Sequence, residues 1–341
     1  MTRSGPSSTG PAVTRRAPYD FAAPWGATSF VTDLDGPVHW IEFSPAEDQA
    51  PDQVRDGNPD KVRELPIVFV HGLGGSHLNW VAIAPALAAE RRVLALDLAG
   101  FGLTPAAGRS ATVQSNARLL ARFVRDIAGS PAVLVGNSMG GMISILHAGA
   151  DPETVAGLVL VDPSLPLPWQ RPDPRVAGTF ALYAVPGLGE WYLTSSRRRT
   201  TPRQQVEQVQ RLCFADPARA SAEITAASVE LAGIRRTMPG TEHAFLQAAR
   251  SITGVLARPG HYRAMMAGLD MPVLLIHGEQ DRLVPVAAAR AASVACPSWH
   301  TVLLPGVGHT PQLEVPGDVG AAIRSWAARY PGLTAPAGRA P

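Results

Sequence analysis

The sequence predicts an α/β fold in which a mostly parallel sheet is covered on both faces by helices. Short, wholly apolar segments such as 132–135 and 155–161 alternate with helix-like segments such as 139–150. Continuous apolar character is typical of buried parallel strands. The alternation stops between about residues 162 and 270, where a stretch rich in Ala, Arg, Gln and Leu is typical of helices. We therefore expect one α/β core interrupted by an inserted helical cap.

Composition restricts the class of partner. The 341 residues carry 30 basic and 28 acidic side chains, whereas nucleic-acid-binding proteins show a clustered basic excess. No apolar run reaches the roughly 18 residues of a membrane-spanning helix. Cys213 and Cys296 lack metal or redox spacing. We expect a cytoplasmic protein with a small-molecule substrate, no nucleic-acid partner and no integral membrane segment; the oligomeric state stays open.

The elements follow in order along the chain. Residues 1–24 are rich in Ser, Pro, Gly and Ala, which predicts a flexible tail, and Asp35-Gly36 before the alternating segment 37–43 indicates an opening hairpin. Later strands are predicted at 66–70, 92–98, 132–135, 155–161, 272–276 and 300–304, and helices at 76–89, 113–128, 139–150, 286–295 and 318–329. The predicted units are a tail over 1–24, a core over 25–162 and 270–332, a helical cap over 163–269 and a flexible C-terminal tail over 333–341.

Ser138 is the candidate nucleophile. It is the centre of Gly136-Asn137-Ser138-Met139-Gly140, between the strand 132–135 and the helix 139–150. In a G-x-S-x-G nucleophile elbow, a sharp turn from strand to helix exposes the serine hydroxyl. We expect a strained, positive φ at Ser138, with glycines that let the strand and the helix approach each other.

A serine nucleophile needs a base and an acid, and these should follow other strands of the sheet. The carboxyl ends of parallel strands share one edge. His309 follows the strand 300–304 and can take the serine proton. Asp281 follows the strand 272–276 and can orient that imidazole. We predict Ser138, His309 and Asp281 as catalytic residues, with Asp162, after the strand 155–161, as the rival acid.

The oxyanion hole should consist of two backbone N–H groups. Met139 supplies one by its position directly after the nucleophile, and Leu73 supplies the other from the glycine-rich loop after the strand 66–70. His71 in the same loop is expected to hold the loop by hydrogen bonding rather than to take part in catalysis.

The chain resembles the α/β-hydrolase family over roughly residues 31–329. The resemblance rests on His71-Gly72, Asp97-Leu98-Ala99-Gly100-Phe101-Gly102, Gly136-Asn137-Ser138-Met139-Gly140-Gly141, Gly278-Glu279-Gln280-Asp281 and Gly308-His309. It implies an eight-stranded, mostly parallel sheet, a lid after the sixth strand, a Ser138-His309-Asp281 triad, and neither cofactor nor metal.

The expected activity is hydrolysis of a carboxylic ester with an apolar acyl or aromatic portion through an acyl-enzyme. The elbow is also similar to that of hydrolases that cleave carbon-carbon bonds in ring-fission diketo acids, and a ligand receptor of the same fold is a third possibility. Arg197-Arg198-Arg199 is expected to be a solvated helix end, although such a run could attract an acidic substrate or an anionic lipid surface.

Overall fold

A computed structural model describes residues 13–44, 65–89, 91–167 and 174–333. The sheet is built from β1 (Thr14–Arg16), β2 (Thr28–Asp33), β3 (Pro37–Phe43), β4 (Ile67–Val70), β5 (Val93–Leu96), β6 (Ala132–Asn137), β7 (Val155–Val161), β8 (Val273–Gly278) and β9 (His300–Leu304). Their order is β1-β2-β3-β5-β4-β6-β7-β8-β9. The pairs from β5 onward are parallel, so the prediction of a mostly parallel sheet is confirmed.

The expectation of eight strands is wrong, because the sheet has nine. The additional edge strand β1 pairs antiparallel with β2, with Thr14 opposite Thr32, and lies inside the predicted tail over residues 1–24. All three of its side chains are exposed, so the segment has no apolar pattern. Backbone hydrogen bonds to β2 and the bond between the hydroxyls of Thr14 and Thr32, 2.8 Å long, hold it. Residues 1–12 and 334–341 of the predicted tails lie outside the described residues.

Helices flank the sheet and fill the interval between β7 and β8. Those of the core are α1 (Ala84–Ala88), α2 (Val113–Phe123), α3 (Met139–Ala150), α10 (Val286–Ala295), α11 (Pro311–Glu314) and α12 (Pro316–Ala327). The single helix predicted over 76–89 is wrong: a 3-10 turn at His77–Asn79 precedes the five-residue α1. Pro85 lies in the first turn of α1, where its missing N–H is tolerated, whereas inside a longer helix it would remove a hydrogen bond.

The inserted helices are α4 (Pro174–Ala184), α5 (Leu188–Arg199), α6 (Pro202–Cys213), α7 (Ala222–Arg235), α8 (Thr241–Leu256) and α9 (Pro259–Ala267). Pro186-Gly187 lies between α4 and α5, and Pro239-Gly240 lies between α7 and α8. On α8, Gln247 and Ser251 accept hydrogen bonds from the backbone N–H groups of Ala111 and Val113, at 3.0 and 2.9 Å. These bonds attach the insertion to the core at the start of α2.

Two apolar layers enclose the sheet. One packs α2 and α3 with β4, β5 and β6 on one side, and the other packs α1 and α12 on the opposite side. Within the described part of the chain, no helix combines the length and the apolar character needed to cross a bilayer.

Candidate active site

Ser138 lies at a strained turn between β6 and α3. Its φ is +54°, as the elbow pattern predicted, and such a conformation costs a non-glycine residue about 1–3 kcal/mol. The surrounding structure holds it, because the Ser138 N–H donates to the Val161 carbonyl and the Ser138 carbonyl accepts from the Ser164 N–H, both at 3.0 Å. Ser138 is partly exposed, whereas residues 132–137 and 139–145 are buried. The hydroxyl therefore stands where the core meets solvent.

The elbow requires glycine at two positions, because backbone atoms of other residues approach them closely. A Cβ at Gly136 would lie 2.5 Å from the Gly140 carbonyl oxygen. At Gly140 it would lie 2.0 Å from the Val70 carbonyl oxygen. Neither position can accept a side chain without backbone movement, so the steric interpretation of the motif is confirmed.

His309 and Asp281 form a short, buried hydrogen bond. His309 Nδ1 donates to Asp281 Oδ2 at 2.6 Å. The other oxygen, Oδ1, accepts from the N–H groups of Leu283 and Val284, at 2.7 and 3.0 Å. Three donors thus fix the Asp281 carboxylate, and the bond to Nδ1 leaves His309 Nε2 as the nitrogen able to accept a proton.

Asn137 links the elbow to the His309 segment. Its side-chain amide donates to the Val161 carbonyl at 3.0 Å and to the His309 carbonyl at 3.1 Å. The residue next to Ser138 therefore holds the backbone of His309 directly. The sequence identifies Asn137 only as a member of the elbow motif, because a hydrogen bond across 172 positions of sequence leaves no local signal.

A second carboxylate and a second imidazole lie beside this pair. Asp162 Oδ1 accepts from the Gly278 N–H at 2.9 Å, and Oδ2 has no hydrogen-bond partner among the described residues. His277 Nε2 donates to the Val284 carbonyl at 2.8 Å and lies 3.6 and 3.7 Å from oxygens of Asp162 and Asp281. We call Asp162, His277, Asp281 and His309 the Asp281 cluster.

The two carboxylates differ in their tendency to ionise. Burial raises the pKa of Asp162 well above its ordinary value, and repulsion from Asp281 adds to that effect. Burial also opposes ionisation of Asp281, but the charge and hydrogen bond of His309, together with His277, outweigh it and lower its pKa. The geometry and the pKa directions both leave Asp281 as the ionised partner of His309.

The proposed oxyanion donors belong to two segments that adjoin Ser138. A Cβ at Gly72 would lie 3.2 Å from Ser138 Cβ, which puts the loop that carries Leu73 beside Ser138. Met139 is the first residue of α3. Over the part of the chain that the structure describes, neither the Leu73 nor the Met139 N–H donates to a protein acceptor. Neither amide is therefore committed to a protein acceptor.

His71 holds the loop, as predicted. Its Nδ1 donates to the Gly72 carbonyl at 2.8 Å, and its Nε2 accepts from the Leu98 N–H at 3.0 Å. Burial lowers the pKa of His71 to about 4, so the ring is neutral at pH 7 and both nitrogens are used.

Glu314 is an anchor that sequence reasoning missed. Its buried carboxylate accepts from the N–H of Gly308 at 2.8 Å and from those of Ala215 and Asp216 at 3.1 and 3.0 Å. The His309 N–H also donates to the Cys213 carbonyl at 2.6 Å. The segment that carries His309 is therefore tied to the end of α6. A single glutamate in Gln312-Leu313-Glu314-Val315 gave no motif from which to infer this.

A separate buried cluster, the Asp97 cluster, consists of His39, His77 and Asp97. Asp97 Oδ2 accepts from His39 Nδ1 at 2.8 Å and from the Leu103 N–H at 2.8 Å. Asp97 Oδ1 accepts from the His77 N–H at 2.7 Å, and His77 Nδ1 also donates to this carboxylate. Both Nε2 atoms are buried and have no partner among the described residues.

Among the residues that the structure describes, two buried triplets have potential metal-ligand atoms within 4.8 Å of one another, namely His39, His77 and Asp97, and Asp162, His277 and Asp281. In both, most of these atoms already take part in hydrogen bonds. The structure therefore explains the triplets as hydrogen-bonded clusters.

Comparison with known proteins connects this chain to hydrolases. Residues 67–322 match the model of the Alpha/beta hydrolase family. The pimeloyl-[acyl-carrier protein] methyl ester esterase of Aromatoleum aromaticum is 30% identical over 258 residues, which are 74% of this chain and 94% of that protein.

Two further proteins are similar at lower sequence identity. The dihydrolipoyllysine-residue acetyltransferase component of the acetoin cleaving system of Pseudomonas putida is 28% identical over 262 residues, 74% of this chain. The match spans only 61% of that protein's length. The crystal structure of Cfl2 from Burkholderia cenocepacia superimposes with a TM-score of 0.72 at 23% identity, over 93% of this chain and 99% of that one. At that identity the likeness shows the fold alone.

Proposed function

Because this chain belongs to the alpha/beta hydrolase family, we propose that it is a serine hydrolase that cleaves carboxylic esters through an acyl-enzyme. The observation that carries the proposal is the 2.6 Å bond from His309 Nδ1 to Asp281. It lies at the sheet edge where Ser138 adopts its strained turn. The esterase from Aromatoleum aromaticum supports an ester rather than another acyl substrate.

In the proposed mechanism, His309 Nε2 takes the proton of the Ser138 hydroxyl as its oxygen attacks the ester carbonyl carbon. Asp281 keeps the proton of the neutral imidazole on Nδ1 and stabilises the imidazolium that forms. The N–H groups of Leu73 and Met139 donate to the negatively charged oxygen of the tetrahedral intermediate. His309 then gives its proton to the leaving alkoxide, and water, activated by the same imidazole, releases the acid and restores Ser138.

We propose that the inserted helices, within residues 163–269, form a cap over this site and favour an apolar acyl or aromatic group. On α8, the ring of Phe245 would lie 3.4 Å from a Cβ at Gly74. Leu73 and Phe245 are both partly buried and pack against the same apolar layer. An apolar group beside the oxyanion loop would be removed from water by these side chains.

A fluorophosphonate probe tests the nucleophile, and p-nitrophenyl esters of graded acyl length test the activity. We expect the probe to attach to Ser138, and Ser138→Ala to lose both labelling and at least about a thousandfold in kcat/KM. Ser144→Ala is the matched control, because Ser144 lies on the same helix with its hydroxyl bonded to the Gly140 carbonyl at 2.8 Å. Labelling at another residue, or unchanged hydrolysis by Ser138→Ala, would contradict the proposal.

A further inference from the structure

Helix α5 turns apolar side chains outward. Leu188, Trp191 and Tyr192 are 43%, 61% and 38% exposed. Across the helix from Trp191, Gly189 is buried against Tyr183 and Leu246, which a Cβ there would meet at 3.3 and 3.1 Å. A surface helix normally has the reverse pattern, with apolar residues inward. A tryptophan that is mostly exposed beside two other large apolar residues marks an interaction site.

The same side of α5 ends in two positive charges. Arg198 and Arg199 follow Leu188 by ten and eleven residues, which places them on its side of a helix of about 3.6 residues per turn. Both are exposed, and neither has an ion-pair partner among the described residues. Arg197, by contrast, bonds Glu242 and the Arg236 carbonyl. We call Leu188, Trp191, Tyr192, Arg198 and Arg199 the α5 outer face.

No acidic side chain offsets this charge on the α5 outer face. The one acidic residue of α5, Glu190, lies at the side of the helix that faces α8. There it accepts from Arg250 at 3.0 Å. The outer face thus combines an apolar, aromatic half with a half that has a net positive charge.

Aromatic contacts connect this face to the active site. The Tyr192 and Tyr183 rings are 6.1 Å apart between centroids, and Tyr183 and Phe245 are 5.4 Å apart. Phe245 in turn lies against Gly74 of the proposed oxyanion loop. A surface bound at α5 would therefore be connected with the site by a continuous aromatic path.

We propose that the α5 outer face docks the protein on an anionic phospholipid surface. Trp191 and Tyr192 suit the interface between headgroups and acyl chains, where one end of an aromatic ring is apolar and the other is hydrated. Leu188 enters the acyl region, and Arg198 and Arg199 pair with lipid phosphates. Charge complementarity favours this occupant over a second copy of the chain, which would bring two arginine pairs together if the same face were used twice.

The test is co-sedimentation of the full-length protein with vesicles of phosphatidylcholine, with and without phosphatidylglycerol. We expect binding to the anionic vesicles that weakens at high salt. Leu188→Ser with Trp191→Ser, or Arg198→Ser with Arg199→Ser, should each weaken it about tenfold or more. The Ser138→Ala variant should bind like the unaltered protein, so the docking result does not depend on whether the proposed hydrolysis is right.

Matched controls remove similar groups elsewhere. Val294→Ser removes an apolar side chain that is 83% exposed on α10, and Arg118→Ser with Arg324→Ser removes two exposed charges from α2 and α12. The affinities of these control variants for anionic vesicles should lie within about twofold of that of the unaltered protein. All docking variants should hydrolyse a soluble short-chain ester at the normal rate. No binding to anionic vesicles, or binding that the α5 variants leave unchanged, would overturn the proposal. A dimer in analytical ultracentrifugation that the Leu188/Trp191 variant dissolves would assign the face to a second copy instead.

Discussion

The Asp97 cluster and the Asp281 cluster contain the same chemistry in two different places. Each buries an aspartate that accepts from a histidine Nδ1, at 2.8 Å for His39 and 2.6 Å for His309. The carboxylate of Asp97 is fully used by backbone and imidazole donors, and both of its histidines are at most 1% exposed. The carbonyl of His309 instead accepts from the side chain of Asn137, the residue next to the partly exposed Ser138. A buried aspartate-histidine pair therefore does not by itself indicate a catalytic site. The residues around the pair distinguish the two clusters.

The largest expected effect is on the proposed catalytic cluster. Asp281→Asn keeps the shape of the side chain but removes the negative charge that fixes the tautomer of His309, and we expect kcat to fall by about 10³–10⁴-fold. Ester hydrolysis measured with a fixed concentration of folded protein checks this.

Asp162→Asn is the matched variant within the same cluster. Burial and repulsion from Asp281 raise the pKa of Asp162 well above its ordinary value, so this carboxyl is harder to ionise than that of Asp281, and an amide in its place keeps an oxygen that can accept from the Gly278 N–H. We expect kcat to change by less than about tenfold. A collapse of kcat in this variant with a normal rate in Asp281→Asn would reverse the acid assignment.

A smaller effect, on stability rather than rate, is expected for Asp97→Asn. The amide would place N–H groups against donors from His39, His77 and Leu103, so we expect the free energy of unfolding to fall by about 3–5 kcal/mol. Urea unfolding measures this, with the half-exposed Asp126→Asn as the control. Protein that remains folded should keep kcat within about tenfold. A normal stability for Asp97→Asn would remove the contrast between the clusters.

The smallest effect is on the free energy of unfolding at acid pH, and it involves a residue that belongs to neither cluster. Burial lowers the pKa of His147 on α3 to about 4. Since the unfolded chain takes up this proton near pH 6.5, the contribution is present above that pH. It is lost as pH falls toward 4, by about 3 kcal/mol. Urea unfolding from pH 7 to 4 should therefore show a shallower decline for His147→Gln. The exposed His243→Gln should follow the unaltered protein, and identical slopes for all three would contradict the prediction.

The sequence predicted the parts of the molecule that depend on local pattern. The buried strands β6 and β7 are continuous apolar runs, and the elbow needs glycine at positions 136 and 140 for steric reasons. His309 and Asp281 could be placed because strand ends share an edge of the sheet. These inferences need only the identity of nearby residues and the geometry of a parallel sheet.

The rest depends on contacts between distant segments. β1 joins the sheet mainly through its backbone, so its side chains carry no strand pattern. Asn137 and Glu314 act through hydrogen bonds to main-chain groups that only the folded chain brings near. The sequence predicted Asp281 as the partner of His309 but kept Asp162 as a rival, because the two aspartates follow neighbouring strands.

The hydrogen bonds of Glu314 have a consequence for any attempt to replace the inserted helices by those of a relative. The same carboxylate binds Gly308 beside His309 and the chain just after α6. A chimera that receives its inserted helices from a relative would thus also receive a new support for the segment that carries the proposed base, His309. Substrate preference could not be transplanted independently of catalytic rate unless the donor preserved the main-chain path at residues 213–216.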